Sequence, residues 1–168
     1  MGRLRTKRTD DQERGIHIPG PERSCRLLLH QAARNDSADQ TVTMVYSIDG
    51  STLVWGVSDT NDMPPATMHL FLWRSGDDLS CNGAMASYRF WAPSGVTLKL
   101  GDSQTLTSVL DPSVWTNCYG DHDTSGFAGA LENAMGIGFT FGGQRFFGHG
   151  IYLSSGNATF KVNRYTVR

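Results

Sequence analysis

No stretch of this 168-residue chain approaches the roughly 18 consecutive apolar residues of a membrane-crossing helix, so no membrane span is expected. Charge is scarce as well: Asp, Glu, Lys and Arg make up 18% of the residues. That is too little for a solvated, disordered chain over its whole length. A phosphate-cradling glycine loop, a zinc-ligand spacing and a G-x-S-x-G nucleophile elbow are all missing, which removes the nucleotide-dependent, zinc-dependent and serine-hydrolase readings. Cysteine occurs three times, as Cys25, Cys81 and Cys118. A Cys81–Cys118 disulfide with Cys25 left over and three free thiols fit this count equally well.

What is present is glycine, at 19 residues, and aromatic side chains, at 10%. Many turns and bulky side chains in a chain about one domain long point to an all-β body with short strands. Residues 1–34 hold eight of the fifteen basic residues and four of the sixteen acids, leaving seven basic against twelve acidic residues for the remainder. An acidic body repels phosphate backbones, so no nucleic acid is expected on it. Residues 1–40 read as a basic leader, broken by Gly15, Pro19, Gly20 and Pro21 and lacking the apolar core of a secretory signal. The folded domain is expected over 41–168.

In TVTMVYSI-DG-STLVWGV, residues 41–57, two alternating runs flank Asp49-Gly50, a strong signal for a two-residue hairpin. Val42, Met44, Tyr46 and Ile48 share one face with Leu53, Trp55 and Val57, and this is the expected core face. MHLFLWR (68–74) reads as a strand covered on both faces, with His69 as a structural histidine. MASYRFW (85–91) and GVTLKL (95–100) read as further strands, and GDSQTLTSVLDPS (101–113), to which no element is assigned, carries the chain to Trp115 and a polar loop. Phe127, Ala130, Leu131 and Ala134 recur at helical spacing, predicting a short helix near 127–134 capped by Thr124 or Ser125. GIGFTF (136–141) is a strand with one large and one small face. In the last strand the apolar parity switches between Val162 and Tyr165, which a bulge near Asn163-Arg164 would repair. The sum is an antiparallel β-sandwich, of jelly-roll type, with one short helix.

Trp115, then Phe127 and Leu131 in the short helix, then GIGFTF, a glycine loop and the closing NATFKVNRYTV resemble the last third of a galactose-binding-like or laminin-domain-IV-like jelly roll. The resemblance covers residues 111–167. It implies an extracellular, non-catalytic domain that binds sugars or other matrix components, often beside a structural calcium ion. The chain departs from the pattern at Asn163-Arg164-Tyr165, where those families often carry an acidic residue and Asn.

The densest polar constellation is Asn117, Asp121, His122, Asp123, Thr124 and Ser125. Asp121 and Asp123 could aim two carboxylates at one calcium ion, with carbonyls completing the shell; the competing reading is a solvated loop. Sugar recognition needs a flat aromatic surface with a few hydrogen-bonding partners. Trp91, Trp115 and Tyr119 could supply the surface and Asn117, Asp121 and Asp123 the partners, with His149, between two glycines, as a further binding imidazole. Against this, Trp115 reads equally well as a core plug beneath its loop. The expected function is a non-catalytic module for carbohydrate or another extracellular ligand. The rivals are an assembly domain that contacts other protein subunits and a small aspartate-dependent glycosidase built on Asp121 and Asp123 or on Asp77 and Asp78.

Overall fold

The computed structural model describes residues 16–17, 39–51, 54–57, 64–77, 83–144 and 148–168, with backbone alone at 16–17 and 54–55. Most of the leader, Cys81 and the side chain of Trp55 therefore lie outside the described residues, as do Asp78 and Phe146-Phe147.

The body is an antiparallel β-sandwich. One sheet runs in the order β1 (Ile16–His17), β11 (Ala158–Val167), β2 (Thr41–Gly50) and β7 (Gly101–Val109). The other is centred on β4 (Thr67–Arg74), which pairs with β9 (Ala134–Gly142) on one side. On its other side β4 pairs with the short β5 (Phe90–Trp91) and β6 (Val96–Thr97), and β8 (Thr116–Asn117) continues from β5. A separate pair joins β3 (Val54–Val57) to β10 (Ile151–Ser155). The one helix among the described residues, α1 (Thr124–Glu132), leads into β9, and a 3-10 turn, η1 (Ala86–Tyr88), leads into β5.

The core forms where the inner faces meet. Val42, Met44, Tyr46 and Ile48 of β2 are all buried, as period-two alternation requires. Opposite them lie Met68, Leu70 and Leu72 of β4 and Ile137, Phe139 and Phe141 of β9. Phe160 of β11 bridges the layers, with ring centroids 5.2 Å from Phe139 and 5.5 Å from Phe141, and it stacks on Tyr46. Burying each such ring contributes about 1.5–3 kcal/mol. Burial also pushes the Tyr46 phenol up to about 12. The bulge of the last strand is present: the β11–β2 register shifts between Val162 and Arg164, which returns Tyr165 and Val167 to the core side.

The Asp49-Gly50 hairpin is not formed. β2 runs straight through both residues, with Asp49 opposite Thr159 and Gly50 opposite Ala158. Gly50 is needed for close approach rather than for a turn, since a Cβ there would sit 2.0 Å from the Asn157 carbonyl oxygen. Asp49 meets Lys161 at 2.7 Å across the same ladder. β3 pairs with β10 in another part of the fold, so the expected register between residues 41–48 and 51–57 does not occur.

Four other assignments change. Residues 85–91 form η1 and only a two-residue strand, because Arg89 turns inward to a buried ion pair with Asp77. Residues 95–100 pair only at Val96 and Thr97; Leu98 is buried but Leu100 is 42% exposed. Residues 101–109, to which the sequence reading assigns no element, form the nine-residue β7, paired along β2 with Leu106 opposite Met44. Its alternation escapes notice because Leu106 is its only buried side chain. The helix begins at Thr124, and its cap is Asp123.

β4 is buried on both faces, as its sequence predicts. On the face away from the main core, Phe71 lies between Trp73 and Trp91, with centroids 5.3 and 4.7 Å away. Gly138 and Gly136 of β9 stand opposite Phe71 and Trp73, so the small face of GIGFTF accommodates these rings.

Candidate functional site

The segment after β7 is built as a sequence of local hydrogen bonds. Asp111 accepts from the Ser113 amide at 2.8 Å and its carbonyl accepts from the amides of Val114 and Trp115. Trp115 turns fully inward, donates its indole N–H to the Val109 carbonyl at 2.7 Å, and meets Phe127 edge-on. The Asn117 side-chain carbonyl then accepts from the amides of Tyr119 and Asp121, closing a tight turn in which Gly120 takes a positive φ of 85°. His122 Nδ1 lies 3.1 Å from the Trp115 carbonyl.

Asp123 ends this segment and starts the helix. Its carboxylate accepts from the Gly126 amide and the Ser125 hydroxyl, each at 2.9 Å. This is an N-cap interaction, which satisfies a helix amide that has no partner of its own. The Gly126 amide, with help from Ser125, holds the carboxyl below its ordinary range.

The helix packs Phe127 and Ala130 into the core and turns a glycine-bearing side toward η1. A Cβ at Gly129 would come within 3.3 Å of the Tyr88 ring, and one at Gly126 would sit 3.3 Å from the Ser87 carbonyl. Glycine at these positions, three apart and thus on one helix face, lets α1 and η1 approach closely. Between them lies an open groove of about 370 Å³, lined by Ser87 and Tyr88 of η1, Arg74 at the end of β4, and Asp123, Ser125 and Glu132 along the helix. The Arg74 guanidinium sits 4.4 Å above the centre of the Tyr88 ring, a cation–π contact that fixes both.

Further contacts tie the neighbouring segments to one another. Arg89 donates through Nε and Nη2 to the two carboxylate oxygens of Asp77, and both side chains are buried. The Cys118 thiol donates to the Ala86 carbonyl at 3.1 Å, and the Ser75 amide donates to the Asn133 carbonyl at 2.8 Å. Turn 75–77, η1 and both ends of the 117–133 segment are thereby tied together. Partial burial pushes the Cys118 thiol up, against the pull of Arg89. Cys118 is a free thiol here.

The residues expected to form one site are separated. Trp115 is a core plug and Asn117 is buried as the organiser of a turn, so neither offers a surface to a ligand. Tyr119 is 68% exposed and, with exposed Asp121, occupies the turn next to the helix. Asp123 alone of the expected ligand residues lines the groove. Trp91 lies on the other aromatic face, half-buried, with its indole N–H on the Thr140 hydroxyl at 3.0 Å. His149 is half-buried beside Gly148, whose Cβ position is 3.3 Å from the Trp91 ring.

Asp123 commits one carboxylate oxygen, Oδ1, to the helix cap. Among the described residues no group of three or more His, Cys, Asp or Glu side chains could hold a metal ion. Asp77 is consumed by Arg89, and the two acids that share the groove, Asp123 and Glu132, are separated by nine residues, about 13 Å along a helix. Arg74, Ser87, Tyr88 and Glu132 are groove residues that sequence reading missed. The available signal was the Gly126–Gly129 spacing, which marks a helix face prepared for close contact.

No family model, curated protein or solved structure matches the chain.

Proposed function

We propose that this domain is a non-catalytic binding module that takes a carbohydrate in the groove between α1 and η1. The observation that carries the reading is the Tyr88 ring, held by Arg74, facing a helix edge that carries Ser125, Asp123 and Glu132. A sugar presents both a C–H face and a fringe of hydroxyls. An aromatic ring suits the first, and carboxylate, guanidinium and hydroxyl groups suit the second. The Arg74–Tyr88 contact and the Asp123 cap already hold groove side chains in place, which lowers the ordering cost of binding.

The test is a glycan-array assay on the full chain, repeated with Tyr88→Ala and Ser125→Ala. Folding is monitored by the near-ultraviolet circular dichroism of the packed Trp115. Binding by the native chain that is lost in a folded Tyr88→Ala variant supports the groove, and chelation of divalent ions should leave it unchanged. Absence of glycan binding in the native chain, or binding indifferent to Tyr88, overturns the reading.

A further inference from the structure

We infer that β7 is a self-pairing edge through which two copies of this chain join their sheets. β7 is the outermost strand of its sheet, and its ladder to β2 continues through the Leu110 amide, which donates to the Gln40 carbonyl at 2.8 Å. In an antiparallel pair successive residues alternate between bonding the neighbour and pointing away. Residues 104, 106 and 108 therefore bond β2, while Thr105, Thr107 and Val109 turn their N–H and C=O groups outward. At Val109 the carbonyl is already taken, by the indole of Trp115 and the Asp111 amide. Thr105 and Thr107 are exposed, and no described residue bonds their outward groups.

Edges of this kind are usually blunted by Lys, Pro, a bulge or a covering segment. β7 contains neither Lys nor Pro. Its one register irregularity and its one charge, Asp102, both fall at its start, leaving Gln104–Val109 regular. Elsewhere β1 pairs with β11 at Thr159 and Phe160, and on the free side of β9 the Ile137 and Phe141 carbonyls accept from the Tyr165 hydroxyl and the Gly150 amide. Two of the five exposed large apolar residues among the described residues, Leu100 and Val109, lie at the ends of β7.

The strand is complementary to itself. A two-fold axis at Leu106 sets Thr105 of each copy opposite Thr107 of the other, and each such pair can exchange both of its N–H···O bonds. Lys99 precedes the strand and Asp111 follows it. Antiparallel pairing brings Lys99 diagonally within reach of the other copy's Asp111, whereas parallel pairing would set like charges together. Asp102 meets no acid in this register. The product is one continuous sheet with β7 twice at its centre.

The experiment is sedimentation equilibrium on the full chain, with amide exchange read at Thr105 and Thr107, beside a Thr105→Lys/Thr107→Lys double variant and a Thr107→Pro variant. Both variants spare the backbone hydrogen bonds to β2 but remove the Thr43–Thr107 hydroxyl bond of 2.7 Å, and near-ultraviolet circular dichroism reports whether they fold. The expected result is a two-chain mass with both amides protected, and dissociation at least about tenfold easier in the folded double variant. A single-chain mass for the native protein at all concentrations overturns the inference and frees the edge for a strand of a different protein. So does a dimer that survives both substitutions in folded chains. The two proposals fail separately: a dimer without glycan binding removes only the groove reading, and a monomer that binds glycan removes only the edge pairing.

Discussion

β7 and β9 are both nine-residue strands at the margin of their sheets, yet the fold treats them in opposite ways. Along β9 the carbonyls of Ile137 and Phe141 point away from β4, and each has a partner: the Tyr165 hydroxyl at 2.9 Å and the Gly150 amide at 2.8 Å. Nearly every β9 residue is buried, while β7 buries Leu106 alone. The difference teaches that an edge is closed by what later chain delivers to it. β11 and the segment before β10 reach β9, whereas among the described residues after β7 the Trp115 indole and the Asp111 amide return, both to the Val109 carbonyl. Apolar edge and capped edge coincide because a buried carbonyl without a partner is costly and an exposed one is not.

Several substitutions would break or sharpen this contrast. The largest effect is expected from Phe139→Ala, which removes a ring packed against both Phe141 and Phe160 and should cost about 3–5 kcal/mol in denaturant unfolding. Leu106→Ala, the corresponding truncation on β7, should cost about 2 kcal/mol, since its neighbours along the strand are solvated. An equal loss at the two positions would erase the distinction between the strands. Tyr165→Phe deletes only the hydroxyl that caps Ile137, and a loss of about 1 kcal/mol is expected, with faster amide exchange confined to that end of β9.

The smallest effect concerns His69, whose place in β4 is opposite Thr140 of β9. Burial lowers its pKa below the ordinary 6.5, with a partial opposing effect from the Ala92 carbonyl, to which Nδ1 lies 3.1 Å away. The unfolded chain therefore takes up a proton first as the medium is acidified. The stability contributed by neutral His69 is complete above 6.5 and is lost as the pH falls through the folded value. Thermal unfolding midpoints measured from pH 8 downward should decline more steeply in the native chain than in His69→Gln. Parallel curves would show that another group sets the slope.

Much of the inner architecture was legible in the residue order. Alternation placed Val42 through Ile48 on one face before any partner was known, and the same rule required a bulge between Val162 and Tyr165. The helix was readable from Phe127 and Ala130, but its start was not, because Asp, Thr and Ser are all competent caps and three of them stand in succession. β7 was missed because a strand with one face in water and one margin unpaired has little apolar signal to show. The groove was illegible for a different reason: Tyr88 looks like a strand residue until Arg89 is seen to turn inward to Asp77.

Local order thus determined, from sequence alone, the all-β character, the covered faces of β2, β4 and β9, and the helix that interrupts them. Side-chain direction has a period set by the backbone, and a pattern of a few residues is enough to express it. Only the tertiary structure decided that Gly50 admits β11 rather than turning the chain, that Trp115 seals the core rather than facing a ligand, and that Arg74 and Tyr88 meet the helix. Each of these depends on which distant segment arrives, and strand partners are chosen by the joint burial of many residues far apart in sequence.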